Sequence, residues 1–257
     1  MITSNLVGGL GNYLFQIATT YSLALDYNDE NLYNINKTVR VHGDIKSYVN
    51  NILRKINFTN EKLKIEKNYG EPFFHFKPLV YHKNLKLNGY YQSEKYFLHN
   101  RKNILDLFSV DNKNKSFIDK EYGEILKNET CSIHVRRGDY LKLPNHHPSC
   151  DLNYFKEGVK KIPEHAIFLI FSDDIEWCKK NFNFKQKTYF IENNFDYIDM
   201  WLMSMCNHNI TSNSSFSWWG SWLNENPNKI VIMPKKWFGQ NIHHNTRDLY
   251  PNNIIKI

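Results

Sequence analysis

The succession of elements legible in this 257-residue chain predicts a parallel α/β protein. In the second half, short apolar runs alternate with segments of helical spacing about ten residues long, the pattern of βαβ units. One run, Ala166-Ile-Phe-Leu-Ile-Phe171, is apolar at every position, as a strand buried on both faces of a parallel sheet should be. The glycine-rich start, Ser4-Asn-Leu-Val-Gly-Gly-Leu-Gly-Asn-Tyr-Leu-Phe-Gln-Ile-Ala18, reads as strand, tight turn and helix through about residue 25. Two such halves, 1–128 and 129–257, would leave a cleft between domains, a common setting for a ligand.

The elements follow in order. Gly8, Gly9 and Gly11 stand where the chain turns sharply and where a ligand can approach the backbone closely. Asn12 falls at the helix start, where unsatisfied N–H groups attract anions. The spacing lacks the third glycine of the dinucleotide pattern Gly-x-Gly-x-x-Gly. Residues 32–35 read as a strand, 44–56 have helical spacing, and 87–93 read as a strand end entering a helix over 94–99. Residues 111–116 are polar, lack apolar periodicity and are expected to be a loop. The alternation then becomes regular: strand 131–135, helix 153–162 stopped before Pro163, strand 166–171, helix 175–181 and strand 188–191. Helix 196–206 carries Ile198, Trp201, Leu202 and Met205 on one face; strand 209–211, helix 216–224 and strand 230–233 complete the series.

Composition narrows the function classes. A hydrophobic share of 41% marks a globular chain rather than a disordered one. The net charge of +7 favours phosphorylated or polyanionic ligands. No stretch holds five consecutive basic residues and no nucleic-acid motif is present, so a small phosphorylated ligand is expected and a nucleic-acid partner is not. The cysteines at 131, 150, 178 and 206 form no Cys-x-x-Cys pair, which argues against structural zinc and for free thiols in a reducing compartment. The start lacks the features of a signal peptide and no stretch reaches 18 apolar residues. The expectation is a cytoplasmic protein, soluble or peripherally membrane-associated, with no integral membrane segment.

The chemistry concentrates at strand ends. Ser132-Ile-His-Val-Arg-Arg-Gly-Asp-Tyr140 feeds two arginines into a Gly-Asp turn. Arginines at the carboxyl end of a parallel strand stand where α/β sheets bind ligands, and a guanidinium fork suits a diphosphate. Alternatively, they are solvated arginines that simply finish a strand. His134 lies two positions before Arg136 and shares its strand face; the alternative to a ligand contact is a buried histidine satisfied by a neighbour. Asp173 and Asp174 follow a buried strand. Adjacent residues on a strand end point apart, which disfavours a shared metal. Ser214, Ser215 and Phe216 open a helix after a strand, as a phosphate cradle or as simple N-capping. Trp218, Trp219 and Trp222 have helical spacing and are expected in the core rather than as a platform for a sugar.

Taken together, these segments resemble the α-1,2-fucosyltransferases of glycosyltransferase family 11. The family start Gly-Gly-Leu-Gly-Asn-Gln-Leu-Phe-Gln is present with Tyr13 in place of Gln, and the His-x-Arg-Arg-Gly-Asp-Tyr segment is intact. Phe171-Ser-Asp-Asp174 and Ser212-Asn-Ser-Ser-Phe-Ser-Trp-Trp-Gly220 match as well. So do Gly89-Tyr-Tyr-Gln-Ser-Glu-Lys-Tyr-Phe97 and Thr246-Arg-Asp-Leu-Tyr-Pro251, so the resemblance spans nearly the whole chain in order.

The resemblance implies a GT-B-like fold, two Rossmann-like parallel-sheet domains facing across a cleft, and inverting, metal-independent transfer of L-fucose from GDP-β-L-fucose. The acceptor it implies is the 2-hydroxyl of a terminal galactose, or a similar sugar, in a glycan that is free or lipid-linked. It implies no cofactor beyond the donor substrate. By the same resemblance Arg136 contacts the donor diphosphate and Asn12 approaches the reacting centre from the other domain. His134 lies against the base or ribose, Asp173 reads guanine, and Ser214, Ser215, Phe216, Gly9 and Gly11 complete the donor site. Arg137 is expected to order the loop or pair with Asp139, and Asp139 to hold one of the two arginines. The substitution at Tyr13 is expected to alter the cleft lining. No general base is assignable from sequence. Two other readings remain open: the same fold with another GDP-sugar or acceptor hydroxyl, and a nucleotide-sugar or glycan-binding module without turnover.

Overall fold

The computed structural model describes residues 1–40 and 45–257. The chain divides into two compact units, one of residues 1–110 with 244–251, the other of residues 111–243 with 252–257.

The first unit contains β1 (Ile2–Ser4), β2 (Val7–Gly8), α1 (Leu10–Asp26), β3 (Tyr33–Asn34), β4 (Val39–Arg40), α2 (Ile45–Val49), β5 (Phe58–Thr59), β6 (Lys67–Gly70), β7 (Leu85–Asn88) and α3 (Arg101–Leu107). All strand pairs are parallel, in a three-stranded sheet ordered β1-β7-β6 and two short pairs, β2-β4 and β3-β5. Helix α1 is buried around most of its circumference, including Leu10, Tyr13, Leu14, Ile17 and Ala18, as an internal helix must be. Its buried Gln16 fixes the preceding turn: the side-chain oxygen accepts from Val7 N–H at 3.0 Å and the amide donates to Val7 C=O at 2.8 Å. The segment expected as one helix over 94–99 is instead two 3₁₀ turns, Glu94–Tyr96 and Leu98–Asn100. Of the expected helical stretch 44–56, only Ile45–Val49 is α-helix, and Asp44 lies outside the described residues.

The second unit contains α4 (Asn112–Leu126), β8 (Thr130–Val135), α5 (Leu152–Val159), β9 (Ile167–Ser172), α6 (Ile175–Asn181), β10 (Thr188–Phe190), α7 (Asp196–Met205), β11 (His208–Ile210), α8 (Ser215–Leu223), β12 (Val231–Met233) and β13 (Ile255–Lys256). One six-stranded sheet, ordered β10-β9-β8-β11-β12-β13, is parallel throughout. Alternate residues of β8 sort to the two faces. Cys131, Ile133 and Val135 join Phe155 of α5, Cys178 of α6, and Phe168, Ile170, Ile210 and Ile232 in one apolar layer. Ser132 and His134 take the other face. There Asn209 of β11 donates from its side-chain amide to Ser132 Oγ and to Met203 C=O, each at 2.8 Å.

Three expectations need correction. Residues 111–116 are not a loop: Asp111 caps α4, its carboxylate accepting from Asn114 N–H at 2.9 Å. Only Asn114 and Ile118 of this helix are buried, so its apolar period is faint. The boundary consequently falls at Val110/Asp111 rather than near residue 128, because α4 belongs to the second unit. Asn194, just before α7, donates to Tyr122 Oη of α4 at 2.8 Å. Likewise 230–233 is not the last strand, since β13 adds to the sheet edge. Among the described residues no helix is long and apolar enough to cross a membrane.

Candidate active site

The sheet of the second unit is built outward from β8. The chain lays β9 and β10 to one side, then returns to lay β11, β12 and β13 on the other. The order reverses between β8 and β11, and the crevice beyond the carboxyl ends at such a reversal is where open α/β sheets hold ligands. Arg136 follows β8, Asp173 follows β9, and Ser212 to Ser215 follow β11. The strand ends therefore bring His134, Arg136, Asp173, Ser214, Ser215 and Phe216 to one edge.

His134 is buried, and its Nδ1 shares a 2.7 Å hydrogen bond with Ser212 Oγ across the reversal. Its ring lies 5.4 Å from that of Phe216. Burial, reinforced by the Arg136 charge, pushes this imidazole down to about 3, so it is neutral at working pH. An unfolded chain with an ordinary value of 6.5 binds a proton there that the folded chain refuses. The resulting stabilisation is complete above about pH 6.5 and is lost as pH falls toward 3, at no more than about 1.4 kcal/mol per pH unit. His134→Gln is expected to flatten that acid limb. Denaturant melts across the same pH range check it, and an unchanged slope would assign the limb to another group.

Arg136 is held by two carboxylates, Asp139 at 2.7 Å and Asp173 at 3.1 Å, and lies over the Tyr140 ring with 5.5 Å to the centroid. Arg137 does not take Asp139. Its Nε donates to Asp174 at 3.0 Å, its guanidinium lies 3.8 Å from the Trp177 ring centroid, and its backbone N–H donates to Asp173 at 2.9 Å. Asp173 and Asp174 thus diverge onto different arginines. Gly138 lets the loop close: a Cβ there would stand 2.6 Å from the Asp173 carboxylate. Among the described residues no group of three or more His, Cys, Asp or Glu side chains is arranged to hold a metal ion.

Ser214 caps α8, its hydroxyl accepting from Phe216 N–H at 3.3 Å, and Ser215 and Phe216 form the first turn. Behind that turn Trp218, Trp219 and Trp222 are buried against one another, with Trp218 and Trp219 centroids 5.2 Å apart. They are core and present no face to a sugar.

In the first unit only Gly8 of the glycine turn has a positive φ, +96°, and a Cβ there would lie 2.5 Å from the Asn12 amide nitrogen. Gly9 precedes α1 with extended backbone, while Gly11 and Asn12 sit inside its first turn. Asn12 Oδ1 accepts from Gln92 Nε2 at 2.7 Å, which joins the glycine turn to the Gly89–Phe97 motif. Tyr13 is fully buried, edge-on to Tyr48 at 6.4 Å, so the departure from the family start fills the core of this unit rather than lining a cleft. The Thr246–Pro251 motif docks on the same segment. Asp248 pairs with Lys95 at 2.6 Å and accepts from Phe76 N–H at 3.0 Å, and its C=O accepts from Ser93 Oγ at 2.6 Å. Burial alone would raise the Asp248 carboxyl, but the hydrogen bonds from Lys95 and Arg247 outweigh it and hold the group below its ordinary value.

Sequence reasoning missed Tyr140, Ser212 and Asn213. Tyr140 Oη donates to Asn213 C=O at 3.0 Å, and the Asn213 amide donates to Pro148 C=O and Trp237 C=O, each at 2.9 Å. Only the position of Ser212 and Asn213 on a strand-to-helix turn hinted at them.

Fold and site together define a two-unit parallel α/β protein of GT-B-like class with an arginine at the sheet reversal. The chain belongs to glycosyl transferase family 11, whose model matches residues 1–257, and it is accordingly a glycosyltransferase. It is similar to an α-1,2-colitosyltransferase of Escherichia coli, 30% identical and covering 100% of this chain and 99% of the relative. It is also similar to human galactoside α-(1,2)-fucosyltransferase 1, 26% identical over 54% of this chain and 43% of that protein. Among solved structures, NodZ α-1,6-fucosyltransferase soaked with GDP-fucose has the same fold at a TM-score of 0.53, with 12% identity and coverage of 86% of this chain and 92% of that one.

Proposed function

We propose that this chain transfers L-fucose from GDP-β-L-fucose to the 2-hydroxyl of a terminal galactose in a glycan, with inversion and without a metal. The observation that carries the reading is the Arg136 guanidinium, fixed by Asp139 and Asp173 at the sheet reversal beside the start of α8. In the reaction the acceptor oxygen bonds to the anomeric carbon as the bond to the diphosphate breaks; its hydroxyl proton passes to water, and GDP leaves with an added negative charge. A preorganised cation aimed at that charge, with the N–H groups opening α8, stabilises the transition state more than any other group such a site can offer. Arg136 and the turn of Ser214, Ser215 and Phe216 take this role. His134 lies against the nucleoside, and Gly9, Gly11 and Asn12 serve the sugar and acceptor. Asp139 is committed to Arg136, which leaves it poorly placed as a general base.

Asp173 reads guanine in this scheme. A carboxylate has about four acceptor positions, so one already holding Arg136 and the Arg137 N–H retains capacity for the guanine edge. GDP is expected to bind in preference to UDP, ADP and CDP with chelator present, and Asp173→Asn is expected to reduce the GDP-to-UDP affinity ratio about tenfold or more. Calorimetric titration of the four nucleotides decides it; equal affinities in the unmodified protein would remove the GDP-sugar reading.

A second reading is favoured by the colitosyltransferase relative: the same chemistry with a GDP-linked dideoxy sugar, which lacks one hydroxyl that fucose carries. A site built to hydrogen-bond a sugar hydroxyl discriminates strongly against the analogue lacking it. Comparing kcat/KM for GDP-fucose and GDP-colitose on β-galactosides separates the two.

A further inference from the structure

We infer that Tyr140 and Asn213 are positioning residues that lock the Arg136 loop to the phosphate-binding turn, so that the two halves of the diphosphate site move as one. The inference rests on the donor site proposed above. Three loops meet at Asn213, which is buried between Ser212, the partner of His134, and Ser214, the cap of α8. Both of its amide hydrogens are used, one on Pro148 C=O and one on Trp237 C=O, each at 2.9 Å. Its own side-chain oxygen accepts from the Cys150 thiol at 3.7 Å, and its backbone C=O accepts from Tyr140 Oη at 3.0 Å.

The third loop closes the lock from the far side. Gly239 N–H donates to His146 C=O at 2.9 Å and Asn241 N–H to Asn145 C=O at 2.9 Å. The fit is close enough that a Cβ on Gly239 would stand 2.3 Å from the Asn145 carbonyl. The loop carrying Tyr140 is therefore tied to the 237–241 strap and to the turn opening α8. The Tyr140 ring stacks on His147 at 5.1 Å on one side and supports the Arg136 guanidinium, 5.5 Å from its centroid. The tyrosine hydroxyl holds the ring in place, and the ring supports the guanidinium alongside its ion pairs with Asp139 and Asp173. Any shift of the 212–216 turn is thus carried to Arg136.

Tyr140→Phe removes only the hydroxyl and keeps the ring. It is expected to weaken GDP binding several-fold, because Arg136 loses part of its preorganisation, while leaving guanosine, which has no diphosphate, bound as before. Tyr140→Leu removes the ring as well, and in that background Arg136→Ala should cost less GDP affinity than it does in the unmodified protein, the mark of two coupled groups. Thermal melts of each variant establish that the fold is retained. If the unmodified protein shows no preference for GDP over UDP, the donor-site reading fails and takes this inference with it. If that preference is present but Tyr140→Phe binds GDP normally, or loses GDP and guanosine equally, or if the Arg136→Ala effects simply add, the positioning role alone is overturned.

Discussion

Arg136→Ala is expected to reduce kcat by at least about 10²–10³-fold while the protein remains folded. In the reaction proposed above, the guanidinium meets the charge that develops on the departing diphosphate. Arg137 is turned onto Asp174 and Trp177 and does not share the task. Stability should change modestly, because Asp139 and Asp173 retain partial access to water when their partner is removed. Arg136→Lys separates charge from geometry. It keeps the cation and loses the fork that two carboxylates now hold, so it should recover only part of the rate. GDP release under saturating donor and acceptor measures both variants; near-normal turnover by the alanine protein would place the leaving-group charge elsewhere.

The second large effect is structural. Trp218→Ala is expected to destabilise the second unit by about 3–5 kcal/mol, since Trp218 is fully buried against Trp219 and Trp222 and the cavity left cannot easily collapse. Against a typical total of about 5–15 kcal/mol, that loss takes much of the stability available. Helix α8 packs closely on α7, where a Cβ on Gly220 would meet Met203 at 2.9 Å, so neighbouring atoms have little freedom to fill the void. Scanning calorimetry reads the outcome directly. A midpoint within about two degrees of the parent's would show that the indole contributes little packing energy.

The sequence made the second unit far more legible than the first, for a physical reason. The strand Ile167–Ser172 is buried through its middle and apolar at every position up to Phe171, so it announces itself. In the first unit β2, β3, β4 and β5 have two residues each, and β6 reads Lys-Asn-Tyr-Gly, so no period is long enough to recognise. Helix α4 escaped because only two of its side chains are buried. The motifs placed Arg136, Asp173 and Ser214 on one edge, since strand ends of one parallel sheet must share it. Which carboxylate serves which arginine was not legible: Asp139 goes to Arg136 and Asp174 to Arg137, a matter of loop curvature at Gly138. Nor was the role of Asn213, whose partners come from residues 148 and 237, far away in the chain. The Gln92–Asn12 bond is a similar case, tying together two motifs 80 residues apart.

All six tryptophans, at positions 177, 201, 218, 219, 222 and 237, belong to the second unit. Indole fluorescence from this protein is therefore a spectroscopic label for one half of the polypeptide, already in place. Trp177 lies under the Arg137 guanidinium, and the α8 indoles of Trp218 and Trp219 stand about one turn behind Ser214. Nucleotide titration should register as a change in emission without any added dye. Chemical denaturation followed at the same wavelength tracks that half alone, whereas far-ultraviolet circular dichroism sums over both. Divergence of the two curves would resolve two separate unfolding transitions; superposition would show that the units melt as a single cooperative body.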